Sequence, residues 1–202
     1  MKPHRIQTPH ENLTMILMRN SSFNQDREKC YKMHRNLKIL EIRIRTLVES
    51  DAPSVREVAI EFWNWAYRQI YEKNYIDSWI ANNYSVVLLV DSINRSNEEN
   101  GMTFLGAFEG KELCGFLQGI LRKDHGEILR LYVNPSKSRR GIGTQLLNEF
   151  EKYMLKERIT TLIVGVQEKN DIGINFYAKH GFEKVSKESD EIIISKRVCD
   201  AD

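Results

Sequence analysis

Residues 131–144 read LYVNPSKSRRGIGT, and this stretch decides how the rest of the chain is interpreted. An apolar run typical of a strand ends at Asn134-Pro135, where the proline interrupts regular structure. Helical periodicity follows from Thr144 onward. The stretch therefore predicts a strand, a tight turn and the N-terminus of a helix.

The turn itself suits a pyrophosphate group. Gly141 and Gly143 permit conformations and close approaches that a Cβ would block. Free N–H groups and the dipole at the helix start attract anions, and Lys137, Arg139 and Arg140 add positive charge. Taken alone, such a turn can be purely structural. It has no Gly-Lys-Thr, so it is not a Walker A loop, and it lacks the third glycine of a dinucleotide fingerprint.

Apolar periodicity places the other elements around this turn. The predicted strands are Lys38–Leu47, Met102–Phe108, Leu113–Leu121, Glu127–Val133, Thr160–Val166, Phe182–Val185 and Glu191–Lys196. The first predicted helix starts at Asp51 or at a Ser54–Glu57 capping box and runs to Ile70. The other predicted helices are Tyr75–Ala81, Thr144–Lys156 and Ile172–His180. Val86–Val90 fits either a strand or a buried helix end. This alternation favours an α/β sheet with helices on both faces.

Composition sets the outer limits. The 202 residues, 41% of them hydrophobic, fit one globular domain at residues 36–202 preceded by an N-terminal extension at residues 1–35. A net charge of +2 does not indicate a nucleic-acid-binding surface. Without a bilayer-length apolar run or a secretory signal, we expect a cytoplasmic protein that binds no membrane. Cys30 and His34 lack a second ligand pair, so no metal is expected.

A second segment, residues 170–182, reads NDIGINFYAKHGF and begins 27 residues after Gly143. Combined with the glycine turn and the helix that carries Leu146-Leu147, this pattern resembles the GNAT superfamily of N-acetyltransferases. The specific motifs cover residues 127–182. One position departs from the family, which has Gln or Arg where this chain has Ser138. Backbone N–H groups supply most of the contacts there, and Arg139 can replace the missing side chain.

The resemblance implies a mixed, mostly antiparallel sheet of six to seven strands that splays in the middle. Acetyl-CoA would lie in the gap between strands 127–133 and 160–166, with its pantetheine arm bonded to the first strand. One backbone N–H there would polarise the thioester carbonyl. The residues expected to bind acetyl-CoA are Leu131, Tyr132, Val133, Ser138, Arg139, Arg140, Gly141, Ile142, Gly143, Thr144, Asn170 and Tyr177.

Transfer to an amine needs a proton acceptor for the amine and a proton donor for the thiolate. Tyr177 is the predicted donor because a tyrosine pKa of about 10 exceeds a thiol pKa of about 8.5; alternatively, it only packs its ring. Glu127 is the predicted proton acceptor, which would take the amine proton through a water. A regular strand places Glu127 on one face with Leu129 and Leu131. Alternatively, Glu127 is a solvated carboxylate. His125 and Glu61 are weaker candidates. No cysteine falls at the thioester, which favours direct attack in a ternary complex.

The acceptor class stays open between a small amine and a peptide. Residues 62–79 are rich in aromatics, of which Phe62 and Trp63 follow the apolar stripe while Trp65 and Tyr71 leave it. Together with the carboxylates of Glu61, Glu72 and Asp77, these aromatic residues suit a cationic acceptor such as a polyamine, an aminoglycoside or a lysine. Alternatively, the segment is a charged helix surface with scattered aromatics. A homodimer is conceivable through an exposed edge strand at Glu191–Lys196. The competing functions are a non-catalytic acetyl-CoA sensor and a phosphate-loop nucleotide binder.

Overall fold

The computed structural model describes residues 41–98 and 101–199. The N-terminal extension at residues 1–35, including Cys30 and His34, lies outside the described residues. Within the described ranges, no helix combines the length and the apolar character needed to cross a bilayer.

In residues 41–98 and 101–199, seven strands and five α-helices follow one another in the expected order. The strands are β1 (Ile42–Thr46), β2 (Met102–Glu109), β3 (Glu112–Leu121), β4 (Gly126–Val133), β5 (Thr161–Gln167), β6 (Glu183–Glu188) and β7 (Glu191–Arg197). The helices are α1 (Ala52–Ala66), α2 (Lys73–Asn83), α3 (Val86–Glu98), α4 (Ile142–Lys156) and α5 (Asp171–Lys179). Short 3₁₀ turns occupy Glu49–Asp51 and Pro135–Lys137. The ambiguous run Val86–Val90 is the beginning of α3.

Asp51, rather than a Ser54–Glu57 capping box, marks the start of α1. Its carboxylate accepts hydrogen bonds from Arg45 Nη1 at 2.7 Å and Nη2 at 2.9 Å, and from the Val48 N–H at 2.8 Å. The Arg45 guanidinium lowers the pKa of Asp51. This contact ties the end of β1 to the first turn of α1.

The sheet order is β1-β2-β3-β4-β5-β7-β6. Neighbours are antiparallel except for β4 and β5, which are parallel. The mixed, mostly antiparallel sheet of the predicted fold class is confirmed. β7 lies inside the sheet, so the expectation that Glu191–Lys196 is an exposed edge was wrong. The edge strand at this end of the sheet is β6, where all six residues are exposed and Val185 is an extra, unpaired residue. A charged and bulged edge resists pairing with another strand.

The sheet splays because β4 contains a bulge. Arg130 is opposite Gln118 and Ile128 is opposite Gly119, so Leu129 is an extra residue on β4. Bulges bend a strand and increase its twist. β4 and β5 accordingly pair at Gly126–Ile128 and Leu162–Val164 and separate beyond those residues.

Two apolar cores cover the two faces of the sheet. Helices α1, α2 and α3 pack on one face, around Phe104 and Phe116. Helix α4 and the Tyr177 side chain of α5 pack on the other, around Leu117 and Phe150. The bulge changes which residues of β4 face each core, because Ile128 before it and Leu131 after it both join the α4 side.

Candidate active site

A cleft of about 800 Å³ occupies the place where β4 and β5 separate. It is lined by the outer half of β4, the turn before α4, the end of β5, the start of α5 and the aromatic side chains of α1 and α2. Ser138, Arg139, Gly141, Ile142, Gly143 and Thr144 all line it, as do Leu131, Tyr132, Val133, Asn170 and Tyr177. Of the predicted cofactor-binding residues, Arg140 is the one that the cleft lining leaves out.

The turn before α4 presents unpaired backbone amides. Arg139 has φ +63° and Gly141, the N-cap of α4, has φ +76°. Alternation of left- and right-handed residues directs successive N–H groups into one concave surface that attracts anions. Across the described ranges, the amides of residues 139–144 donate to no other backbone group, and the first bond of α4 is from Gln145 N to Gly141 O. The turn therefore offers donors at a helix N-terminus.

The two glycines of this turn serve different purposes. A Cβ on Gly141 would contact nothing within 4 Å, so Gly141 is needed for its left-handed conformation. A Cβ on Gly143 would lie 3.1 Å from Cε2 of Phe176, so Gly143 allows α4 and α5 to pack closely.

Two of the three expected phosphate cations are already paired with carboxylates. Lys137 Nζ lies 2.9 Å from both Glu109 Oε2 and Glu112 Oε2, and the Arg140 guanidinium also binds Glu109. The Arg140 and Lys137 contacts lower the pKa of Glu109 to about 2. Arg139 makes no ion pair in the described part of the chain and lines the cleft, as does Lys179. We expected Lys137, Arg139 and Arg140 all to offer an unpaired positive charge to the phosphates. In the described part of the chain, Arg139 is the one of the three that does so.

The same ion pairs bear on a possible metal site. One ligand atom each of Glu109, Glu112 and Cys114 lie within 4.8 Å of one another. Lys137 bridges the two carboxylates and burial raises the pKa of the Cys114 thiol. Ammonium and guanidinium groups thus already balance the charge that would attract a metal ion there.

The backbone of β4 points alternately to β3 and to the cleft. Asn134 N donates to Cys114 O at 2.8 Å, so Asn134 faces β3. By the alternation of an antiparallel ladder, the N–H and C=O of Tyr132 also face β3, while those of Leu131 and Val133 face the cleft. Tyr132 instead contributes its side chain, which stacks on Phe62 with ring centroids 4.4 Å apart.

Asn170, at the start of α5, and Tyr177, near its end, both line the cleft. Tyr177 as a whole is 6% exposed, and its hydroxyl, which has no hydrogen-bond partner in the described ranges, keeps contact with solvent in the cleft. Burial, with a smaller contribution from Tyr67, raises the pKa of Tyr177 and keeps the hydroxyl protonated. Asn170 Oδ1 caps α5 by accepting from Gly173 N at 3.0 Å, and its Nδ2 donates to the Tyr67 hydroxyl at 3.2 Å.

Glu127 is not brought to the cleft. It is absent from the cleft lining, and its carboxylate binds Arg122, with Oε2 3.2 Å from Nε and 3.1 Å from Nη2. The physical reason is the bulge at Leu129, which reverses the alternation so that Glu127 does not share a face with Leu131. His125, Glu61, Glu72 and Asp77 also lie outside the cleft lining.

The sequence indicated the aromatic part of the opposite side of the cleft, in residues 62–79, but not its carboxylates. Five aromatic residues spaced four apart, which we call the aromatic cluster, line it together: Trp63, Tyr67, Tyr71, Tyr75 and Trp79. Asp190 and Glu191, at the β6–β7 hairpin, complete this side. The spacing of four was visible in the sequence. The hairpin carboxylates carried no comparable signal, because nothing in the sequence pairs β7 with β5.

Comparison with known proteins identifies the architecture. The Acetyltransferase (GNAT) family matches residues 56–182, which is more than half of the chain. The chain belongs to this family. As a GNAT acetyltransferase, it is an enzyme that uses acetyl-CoA as the acetyl donor for an amine acceptor.

Individual relatives agree with that assignment. The spermidine N(1)-acetyltransferase of Thermoplasma acidophilum is 37% identical over 158 residues, covering 78% of this chain and 98% of the relative. The crystal structure of the PaiA N-acetyltransferase from T. acidophilum in complex with coenzyme A has a TM-score of 0.75 at 38% identity, covering 78% and 99%. A GCN5-related protein from Rhodopseudomonas palustris, with a TM-score of 0.64 at 18% identity and coverage of 77% and 94%, shares the fold.

Proposed function

We propose that this acetyltransferase transfers the acetyl group of acetyl-CoA to a primary amine of a polyamine such as spermidine, by direct attack in a ternary complex. The observation that carries the proposal is that one cleft joins an anion-binding turn, cleft-facing amides of β4, the Tyr177 hydroxyl and an aromatic, acidic far side. The similarity to a spermidine N(1)-acetyltransferase supports the choice of acceptor.

The donor would be held mainly by backbone. The diphosphate binds the amides between Ser138 and Thr144, with Arg139 as the charged side chain. Arg140, which pairs with Glu109, contributes only its backbone. The pantetheine arm takes the place of a strand beside Leu131 and Val133, whose N–H and C=O groups have no strand partner on that side.

Further side-chain and backbone groups complete the cofactor site. Asn170 uses one of its two amide hydrogens for Tyr67 and keeps the second for the cofactor. The Tyr132 ring borders the acceptor side. Ile142 and Gly143 supply backbone amides at the start of α4.

The chemistry follows from these positions. The amine nitrogen attacks the thioester carbonyl carbon, whose oxygen is stabilised by a β4 amide. The carbon–sulfur bond then breaks, and the Tyr177 hydroxyl donates its proton to the leaving sulfur. The proton that the attacking nitrogen loses as the amide forms returns to the Tyr177 oxygen through solvent, which restores the hydroxyl. Glu127 is not part of this proposal, because Arg122 holds it away from the cleft.

The test is release of free CoA thiol, measured with a thiol reagent, when acetyl-CoA is supplied with spermidine, an aminoglycoside or a lysine peptide. We expect the protein to bind CoA and to release thiol when spermidine is supplied. Cofactor binding without turnover for any amine would instead favour a non-catalytic acetyl-CoA sensor. Binding of ATP with no response to CoA would favour a nucleotide binder.

Two further expectations from the sequence belong to this proposal. A cytoplasmic location is consistent with the lack of a membrane-spanning helix among the described residues. A homodimer cannot use β7, which is an inner strand. Light scattering that gives the mass of two chains would support a dimer through another surface, and the mass of one chain would exclude it.

A further inference from the structure

We propose that the aromatic cluster and the carboxylates of Asp190 and Glu191 form a subsite for a second ammonium group of the acceptor, so that the enzyme selects linear polyamines over monoamines. This inference rests on the proposed function and adds the residues that determine acceptor choice.

The aromatic cluster forms a closed circuit of neighbouring rings. Ring centroids are 4.3 Å apart for Trp63–Tyr67, 5.9 Å for Tyr67–Tyr71, 4.6 Å for Tyr71–Tyr75, 6.2 Å for Tyr75–Trp79 and 5.5 Å for Trp79–Trp63. Aromatic faces attract ammonium ions and also pack against methylene groups. A chain of methylenes that carries ammonium groups satisfies both preferences.

Glu191 lies at the point where the sheet opens. A Cβ built on Gly165 would lie 2.9 Å from Glu191 Oε2, so the carboxylate covers Gly165. Gly165 directly follows Val164, the last residue of β5 that pairs with β4. Gly165 has no side chain that would separate this carboxylate from the cleft.

Asp190 extends the negative charge toward the aromatic cluster. Asp190 and Tyr71 both line the cleft, and burial together with the Asp190 charge raises the pKa of Tyr71. Neither Asp190 nor Glu191 forms an ion pair within the described ranges, although both line the cleft. Their charge is therefore available to an ammonium ion.

The reacting end of the same cleft has a different character. The Tyr177 hydroxyl faces the cleft without a hydrogen-bond partner in the described ranges, and Asn170 connects this region to Tyr67 of the aromatic cluster. Among residues 41–98 and 101–199, no carboxylate other than those of Asp190 and Glu191 lines the cleft. The acceptor amine can lose its proton near Tyr177, while another amine keeps its charge at Asp190 and Glu191. A monoamine would leave these carboxylates unpaired.

The experiment compares spermidine with n-butylamine in the Asp190→Asn and Glu191→Gln variants and in their combination. We expect kcat/KM for spermidine to fall by about tenfold or more, since hydrogen bonds to charged groups are involved. Activity toward n-butylamine and KM for acetyl-CoA should stay within about twofold of wild type, because neither depends on a second ammonium group. Glu183→Gln is the control, as it removes one charge from exposed strand β6 outside the cleft lining.

Two outcomes would overturn the inference: an equal loss with both amines, or no loss with spermidine in the double variant. CoA binding measured by calorimetry identifies a variant that fails to fold. In that case Tyr71→Phe is compared with wild type on the same amines; it keeps the aromatic ring and its contact with an ammonium ion, so it should keep the preference for spermidine. If the wild-type enzyme acetylates only n-butylamine or a peptide, the subsite is wrong while acetyl transfer stands. If it acetylates no amine, the proposed function itself fails.

Discussion

Thr144 Oγ1 lies 2.9 Å from His180 Nε2, and His180 Nδ1 lies 2.7 Å from the Phe176 carbonyl oxygen. A carbonyl oxygen can only accept, so Nδ1 carries the proton in the neutral ring, and Nε2 accepts from the Thr144 hydroxyl. The first turn of α4 is thereby joined to the end of α5. The Thr144 side-chain proton is directed at His180, so the group of Thr144 that remains for an anion is its backbone amide.

Neutral His180 should therefore be the Nδ1-protonated tautomer. Ring nitrogen shifts in long-range ¹H–¹⁵N correlation spectra measure this directly, and a protonated Nε2 beside a bare Nδ1 would contradict it. Thr144→Val keeps the shape but leaves Nε2 unpaired, so the free energy of unfolding should fall by about 1 kcal/mol. Thr144→Ser keeps the hydroxyl and serves as the control in the same urea titration.

Tyr177→Phe should lower kcat by about 100-fold, the scale of a lost general acid, without changing CoA affinity. Tyr153→Phe, which alters a tyrosine outside the cleft lining, is the matched control. Burial raises the pKa of Tyr177, so its neutral, donating form persists to higher pH. The wild-type kcat should show no loss from this group up to about pH 10, the usual tyrosine value. An alkaline decline below that pH which disappears in Tyr177→Phe would refute the assignment.

Gly141→Ala should weaken CoA binding by about tenfold, because a Cβ in the left-handed region costs about 1–2 kcal/mol and the turn will relax to another conformation. Gly181→Ala is a close comparison, since Gly181 has φ +82° and also has open space around its Cβ position, but lies outside the cleft lining. It should lose similar stability and keep CoA affinity. Calorimetric titration with CoA distinguishes the two, and equal affinities would show that the turn does not bind the diphosphate.

Glu109→Gln should change the acid stability of the protein. In the folded state the pKa of Glu109 is lowered to about 2, whereas an unfolded glutamate titrates near pH 4.3. The lowered pKa contributes stability that is fully present above about pH 4.3 and is lost as pH falls toward 2. The wild-type urea midpoint should decline more steeply across this window than that of Glu109→Gln. Glu149→Gln, at an exposed pair with Lys152, should keep the wild-type slope.

Much of the fold was readable from the sequence because apolar periodicity reports local structure directly. The exception, Val86–Val90, is a helix whose first residues are apolar yet exposed, with Val87 at 79%. Consecutive apolar residues resemble a buried strand whether or not they are covered. No local pattern separates these cases.

The site was only partly predictable, since its decisive features are long-range. The turn and the position of Tyr177 in the cleft follow from motifs within α4 and α5. The bulge at Leu129 leaves no mark in the sequence, yet it moved Glu127 off the expected face. Likewise, Glu109 meets Arg140 from 31 residues away, which no spacing rule indicates.

Beyond the bulge at Leu129, strand β4 has no neighbouring strand on the cleft side. The N–H and C=O groups of Leu131 and Val133 are therefore exposed in the cleft. A thioester donor that occupies this position also supplies the hydrogen bonds that a neighbouring strand would make. The stabilisation of a folded protein by a bound molecule grows with the logarithm of that molecule's free concentration. The metabolic supply of acetyl groups would then govern how long each copy of the enzyme survives, in addition to how fast it works.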